Sequence, residues 1–208
     1  MGKRGAGASD VVEGTRHRIL DAAIRVLRDV GHGQFSVQKV AREAGVYQGN
    51  ITYYWPRRRD LVLALAVRVV EEYRRTFLAR CTPEELAEGS YASVLIGRMI
   101  ADAVSEDRVR LLPELWSLAN ADPEVARLIS VTYDDVTSEL LAALGVPDGH
   151  PRHGTVRRAL LATGMAVQGL TAVHGHRAAG DPVLTEAREV LAAVHVPLLA
   201  GALADAPG

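Results

Sequence analysis

Wherever this 208-residue chain is patterned, its apolar residues recur every three or four positions, and no run alternates as a half-buried strand does. In TRHRILDAAIRVLRDVGHGQF, Ile19, Ala22, Ala23, Val26, Leu27 and Val30 share one helical face, with Thr15 expected as N-cap and Gly31 as the stop. FSVQKVAREAGV repeats the pattern in shorter form: Ser36 caps, Val37, Val40, Ala41 and Ala44 face inward, and Gly45 turns the chain. A third short helix is expected over about residues 47–54. Trp55 precedes a proline and is pushed away from helical geometry, while Pro56 suits the first position of a fourth helix reaching to about Arg80. Prolines and glycines then mark off helices over about residues 83–105, 108–120, 123–144, 153–178 and 182–203. The predicted fold is all-α, with about nine helices: an N-terminal three-helix helix-turn-helix module and a C-terminal helical bundle joined by the fourth helix.

Composition agrees with helices packed on helices, since 48% of residues are hydrophobic and only 5% aromatic. The single Cys81 excludes an intramolecular disulfide and makes no zinc site, which is compatible with a reducing cytosol. MGKRGAGASD is basic but leads into no signal-like apolar run, and no apolar stretch of about 18 residues is expected to span a bilayer. The expectation is a cytoplasmic protein with no membrane partner, no cofactor and no metal. Its expected divisions are a flexible arm over residues 1–14, a helix-turn-helix domain over 15–62 and a bundle over 63–208. Charge follows that division: residues 1–62 carry a net +5 and the remainder −6, as in a polyanion-binding head on a different body.

A helix-turn-helix lays its second helix into the major groove. Here that helix lies within GVYQGNITYYWPRRRDL. Gln48, Asn50 and Thr52 are short polar groups able to bond base edges or phosphates, and Tyr47, Tyr53 and Tyr54 add apolar faces with hydroxyls. Gly49 lets the backbone approach closely. Ile51 and Trp55 are expected in the core. Arg57, Arg58 and Arg59 stand at a helix start, where positive charge opposes the dipole and a bound phosphate would relieve it.

TRHRILDAAIRVLRDVG followed by FSVQKVAREAGVYQGNITYYWPRRRDLVLAL resembles the DNA-binding domain of the TetR family of bacterial transcriptional regulators, across residues 15 to about 66. The resemblance implies a homodimer on a near-palindromic double-stranded operator, with a small-molecule effector pocket in the C-terminal bundle and release of DNA when the effector binds. It places groove and phosphate contacts in the third helix on Tyr47, Gln48, Gly49, Asn50, Thr52, Tyr53 and Tyr54. It adds Arg58 from the fourth helix and Ser36, Val37 and Gln38 from the second. Several of these depart from the usual family residues, which commonly include Ser or Thr then Lys at Tyr47 and Gln48 and Tyr at Thr52, so the operator sequence does not carry over.

The acidic body is read mostly on its own residues. Met99, Leu112, Trp116, Tyr133, Met165, Gln168 and His174 mix bulky apolar walls with a few polar atoms, as small-molecule sites do. HGTVRRALLATGMAVQGLTAVHGHR is apolar on more than one face, with small residues such as Thr163, and the last helix carries Val190, Leu191, Val194 and Leu198. By family analogy these two helices pair with their symmetry mates. Two alternatives stand beside this reading: a DNA-binding regulator with no effector or acting as an activator, and a metal-dependent hydrolase using His150, His153, His174 or His176 with Asp148 or Asp181.

Overall fold

A computed structural model describes residues 6–79 and 91–204. Among them the chain forms nine α-helices and no strand: α1 (Ala6–Val30), α2 (Val37–Ala44), α3 (Gln48–Tyr54), α4 (Arg58–Leu78), α5 (Tyr91–Ala103), α6 (Glu106–Ala121), α7 (Pro123–Ala143), α8 (His153–His174) and α9 (Pro182–Ala204). The expected start of the fifth helix at Pro83 lies outside the described residues. Two compact units arise, Met1–Glu72 with Glu114–Ile129, and Tyr73–Pro113 with Ser130–Gly208. The first therefore extends past the Val62 boundary expected from the sequence.

In the first unit α1 packs on α2, and α2 on α3. Ile19, Ala22, Ala23, Val40 and Ile51 on these helices and Leu61 on α4 are fully buried, with Trp55 at 5% exposure. Ser36 caps α2 as expected, its hydroxyl oxygen accepting from the Lys39 N–H at 3.3 Å. Gly45 ends α2 in the left-handed region at φ 65°, where a side chain would be strained. Two helix starts differ from expectation. Thr15 is not an N-cap, because α1 already runs from Ala6 and preceding carbonyls are in place to take its N–H. Likewise α4 begins at Arg58 and not Pro56, with the Asp60 carboxylate accepting from the Arg57 N–H at 3.1 Å, a side-chain cap that also sets a negative charge at the dipole's positive end.

The end of α6 belongs to this unit and binds the α1–α2 connection. Glu114 Oε2 accepts from the His32 backbone N–H at 2.6 Å and pairs with its Nδ1 at 2.9 Å, while Ser117 Oγ lies 3.0 Å from Nε2. Gly31 makes the approach possible. It holds φ 73°, and a Cβ there would stand 3.2 Å from a Glu114 oxygen.

In the second unit α5, α8 and α9 pack on one another around Leu95, Ile96, Leu141, Val156 and Leu199. A polar pair crosses this core. The Thr163 hydroxyl donates to the Ala159 carbonyl at 2.8 Å, which leaves its oxygen to accept from His195 Nδ1–H at 3.1 Å. Burial holds the imidazole of His195 below its ordinary 6.5. The unfolded chain then takes up a proton where the folded chain does not, so this contribution is complete above pH 6.5 and is lost as pH falls toward the lower folded value. Urea unfolding from about pH 7 to about pH 5 should show a shallower loss of stability in His195→Gln than in the unmodified chain. Equal slopes would remove His195 from the acid limb.

Helix α9 corrects one expectation, for by length and composition Pro182–Ala204 could cross a membrane. Its buried Leu184, Leu191 and Leu199 are joined by the exposed Val183, Val190, Val194 and Leu198, so it is apolar around most of its circumference.

Candidate nucleic-acid interface and ligand cavity

Helix α3 is anchored by the fully buried Ile51 and by Trp55, whose extended backbone at φ −132° and ψ 91° is the conformation a residue before proline favours. Those anchors turn the remaining side chains outward. Tyr47 is 88% exposed and Tyr53 79%, and Gln48, Gly49, Asn50 and Thr52 are exposed with them. Aromatic residues left in water beside amides form a surface suited to a nucleic-acid groove. Thr52 is partly committed, its hydroxyl donating to the Gly49 carbonyl at 3.2 Å, so in this rotamer it meets a base edge as an acceptor or through its methyl. Tyr54 is half-buried, edge-on to Tyr53 with ring centroids 5.2 Å apart and 5.7 Å from Trp55, and so links the core to the outer face. On α2, Gln38 is exposed while Ser36 and Val37 are half-buried.

The three arginines have separate local roles. Arg57 supplies the backbone N–H that Asp60 accepts. The Arg58 guanidinium, expected on phosphate, reaches back to the His32 and Phe35 carbonyls at 3.4 Å and lies 5.7 Å over the Phe35 ring. Arg59 forms a fork on Asp122 at 2.6 and 2.9 Å and also binds Glu124 at 2.9 Å. Hydrogen bonds from Arg59 and from the Glu124 backbone hold the Asp122 carboxyl below the usual carboxylate range.

The second unit contains a cavity of about 50 Å³ lined by residues that include Tyr73, Phe77, Met99, Arg108, Tyr133 and Gln168. Tyr73 stacks on Phe77 at 5.9 Å, and the Arg108 guanidinium lies 4.3 Å from the Tyr73 ring centroid. Only 6% of the Arg108 side chain is exposed, and it pairs with Asp102 at 3.0 Å. Gln168 Nε2 donates to the Tyr133 hydroxyl. Burial pushes both phenols, Tyr73 and Tyr133, above their ordinary range, so they remain neutral hydroxyls. Among the described residues two buried side-chain polar atoms lack a hydrogen-bond partner, Arg108 Nε and Gln168 Oε1, and both residues line this cavity.

Residues 19–65 match the family model described as bacterial regulatory proteins, tetR family. Over 129 residues, 61% of this chain, the sequence is 24% identical to the HTH-type transcriptional regulator BetI of Cronobacter sakazakii; the match spans 64% of that relative, just under two thirds of its length. The fold matches a TetR transcription regulator from Haloarcula marismortui with a TM-score of 0.67 at 20% identity, covering 91% of this chain and 98% of that one. The multidrug binding protein EbrR, solved in complex with ethidium, is 30% identical with a TM-score of 0.61, covering 85% of this chain and 95% of that one.

This chain belongs to the TetR family of bacterial transcriptional regulators.

In this TetR-family regulator the cavity takes up some of the expected pocket residues and excludes others. Met99, Tyr133 and Gln168 line it. Leu112 is buried but not part of its wall, and Trp116 lies in the first unit. Met165 is 71% exposed, because one residue earlier Gly164 takes the cavity-facing position with Leu160, Val167 and Gln168. His174 ends α8, where its Nδ1 accepts from Arg177 Nε at 3.2 Å. Arg108 was missed, although its signal was present: it shares a buried stripe with Leu112 and Leu115 at i, i+4 and i+7.

The family's helical pair also separates into two classes. Val190, Val194 and Leu198 are 56%, 55% and 42% exposed on one stripe of α9, and α8 exposes Met165 and Val173. Thr163 and Leu191, expected at the same interface, are instead 0% and 8% exposed, buried within their own unit.

His150, His153 and His174 of the hydrolase alternative carry local bonds. His150 Nδ1 accepts from the Arg152 N–H, His153 lies 3.1 Å from the Val146 carbonyl and 3.2 Å from Asp148, and Asp181 accepts from the Val183 N–H. Among the described residues no three His, Cys, Asp or Glu side chains gather to hold a metal.

Proposed function

We propose that this regulator is a cytoplasmic homodimeric repressor. Each protomer lays α3 in the major groove of one half of a near-palindromic operator, and a small molecule in the second-unit cavity releases the DNA. The observation that carries the reading is the outward face of α3, with Tyr47, Gln48, Asn50, Thr52 and Tyr53 exposed on a helix held by Ile51 and Trp55. The uncovered stripe of α9 supports the dimer, since an apolar stripe of this kind is the material of an isologous interface. The cavity's two unpartnered polar atoms support the ligand.

A gel-shift with the DNA upstream of the regulator's own gene tests the central statement, and a folded protein that binds no such DNA at low salt would refute it. Gln48→Ala should relax selectivity at particular base pairs, at a loss of about 1–3 kcal/mol. Arg58→Ala should weaken all sequences alike and lower the salt slope by about 1. Titrations at several salt concentrations on intact and base-substituted sites distinguish the two. Uniform loss in both variants would place Gln48 on the backbone and not on the bases.

A further inference from the structure

We propose that the cavity's ligand is an uncharged molecule with an apolar body and a carbonyl beside an N–H or O–H, received by Arg108 Nε and the free end of the Gln168 amide, and that lipophilic cations are excluded. The inference rests on the cavity being the effector site and adds the chemistry of what enters it.

The walls decide the body, and three polar side chains decide the head. Phe77, Val136, Leu140 and Val167 offer apolar surface to the ligand. Arg108 is more than nine-tenths buried and its Nε–H has no acceptor, which a ligand carbonyl would supply. The Gln168 amide is tied at one end to the Tyr133 hydroxyl, leaving the other end open to a donor from the ligand. If the amide turns over, the Tyr133 hydroxyl donates to Oε1 and Nε2 is left open, and a carbonyl-bearing head meets that end equally well.

Charge at the head is opposed from both sides. Among the described residues no carboxylate lines the cavity, and Asp102, behind Arg108, is held by it at 3.0 Å. A cation would meet the guanidinium, and an anion would meet Asp102 behind it. The Arg108–Asp102 pair therefore makes the site close to neutral, unlike one that would hold the ethidium cation bound by EbrR. A six-membered ring needs about 150 Å³, more than the present cavity, so side chains must yield. Met99, half-buried and unbranched, is the side chain best able to do so.

The test compares heads on one ring by isothermal titration of the full chain without DNA, using benzamide, toluene, benzoate and benzyltrimethylammonium. Benzamide is expected to bind most tightly. Arg108→Met and Gln168→Leu should each weaken benzamide by about tenfold or more and leave toluene unchanged. Arg108→Met should also begin to bind benzyltrimethylammonium, because Asp102 loses its partner. Should Arg108→Met fail to fold, Gln168→Leu carries the same comparison. The proposal is overturned if the ammonium, benzoate or toluene binds the unmodified chain as well as benzamide does. It is equally overturned if no head-dependent binding is found or if the variants leave benzamide unchanged. The gel-shift remains separate: DNA binding with a preference for the ammonium refutes only this inference, and head selectivity without DNA binding refutes only the regulator reading.

Discussion

Trp55→Ala is expected to lower the melting temperature by on the order of 10 °C, the shift that a loss of about 3–5 kcal/mol produces in a chain of this size. Trp55 is 5% exposed, touches Tyr54, and lies beneath the Arg16 guanidinium at 5.6 Å, so truncation leaves a cavity where α3 meets the core. A loss of that size is a large share of the total stability of a domain, about 5–15 kcal/mol. Tyr53→Ala provides the contrast on the same helix, since Tyr53 is 79% exposed. It should leave the melting curve in place and weaken DNA binding. Thermal unfolding followed by circular dichroism, with gel-shifts below the melting range, separates the two. A Trp55→Ala protein that melts within a few degrees of the unmodified chain would show that α3 is held by Ile51 alone.

Val194→Asp is expected to turn the proposed dimer into a monomer. The side chain is 55% exposed in a single chain, with Val190 one turn before it and Leu198 one turn after, so the substitution leaves the protomer's own core intact. In a two-fold interface the charge is introduced twice, and each unpaired buried charge costs several kcal/mol, so the dissociation constant should rise by about three orders of magnitude or more. Sedimentation velocity reads the change directly. DNA affinity should fall with it, because one half-site contact replaces two. A Val194→Asp protein that sediments as the unmodified dimer would place the interface elsewhere. Leu191→Asp, three residues away but 8% exposed, should unfold the protomer instead.

The N-terminal motif was legible because its signals are local. Ser36 and Lys39, Gly45 with its positive φ, and Trp55 before Pro56 each act within a few residues, so the pattern of side chains is close to the pattern of bonds. Local signals also misled where a long helix overrode them. Thr15 carries the chemistry of an N-cap but lies inside α1, and a helix already in progress leaves it nothing to cap. Arg59 stands in the arginine run that a phosphate at the helix start would relieve, yet its partners are Asp122 and Glu124, more than 60 positions away.

By itself the sequence determined an all-helical chain with a helix-turn-helix at its N-terminal end, because three-four periodicity, caps and turn residues are short-range properties of the backbone. Which face of α8 and α9 turns inward was decided only by tertiary packing. Both helices are apolar on several sides, and neighbours far along the chain selected Thr163, Gly164 and Leu191 for the interior while leaving Met165, Val190 and Val194 outside. The cavity has the same origin. Arg108 becomes a buried donor only when Tyr73 and Asp102 stand against it, and Gln168 only when Tyr133, 35 positions earlier, takes one end of its amide.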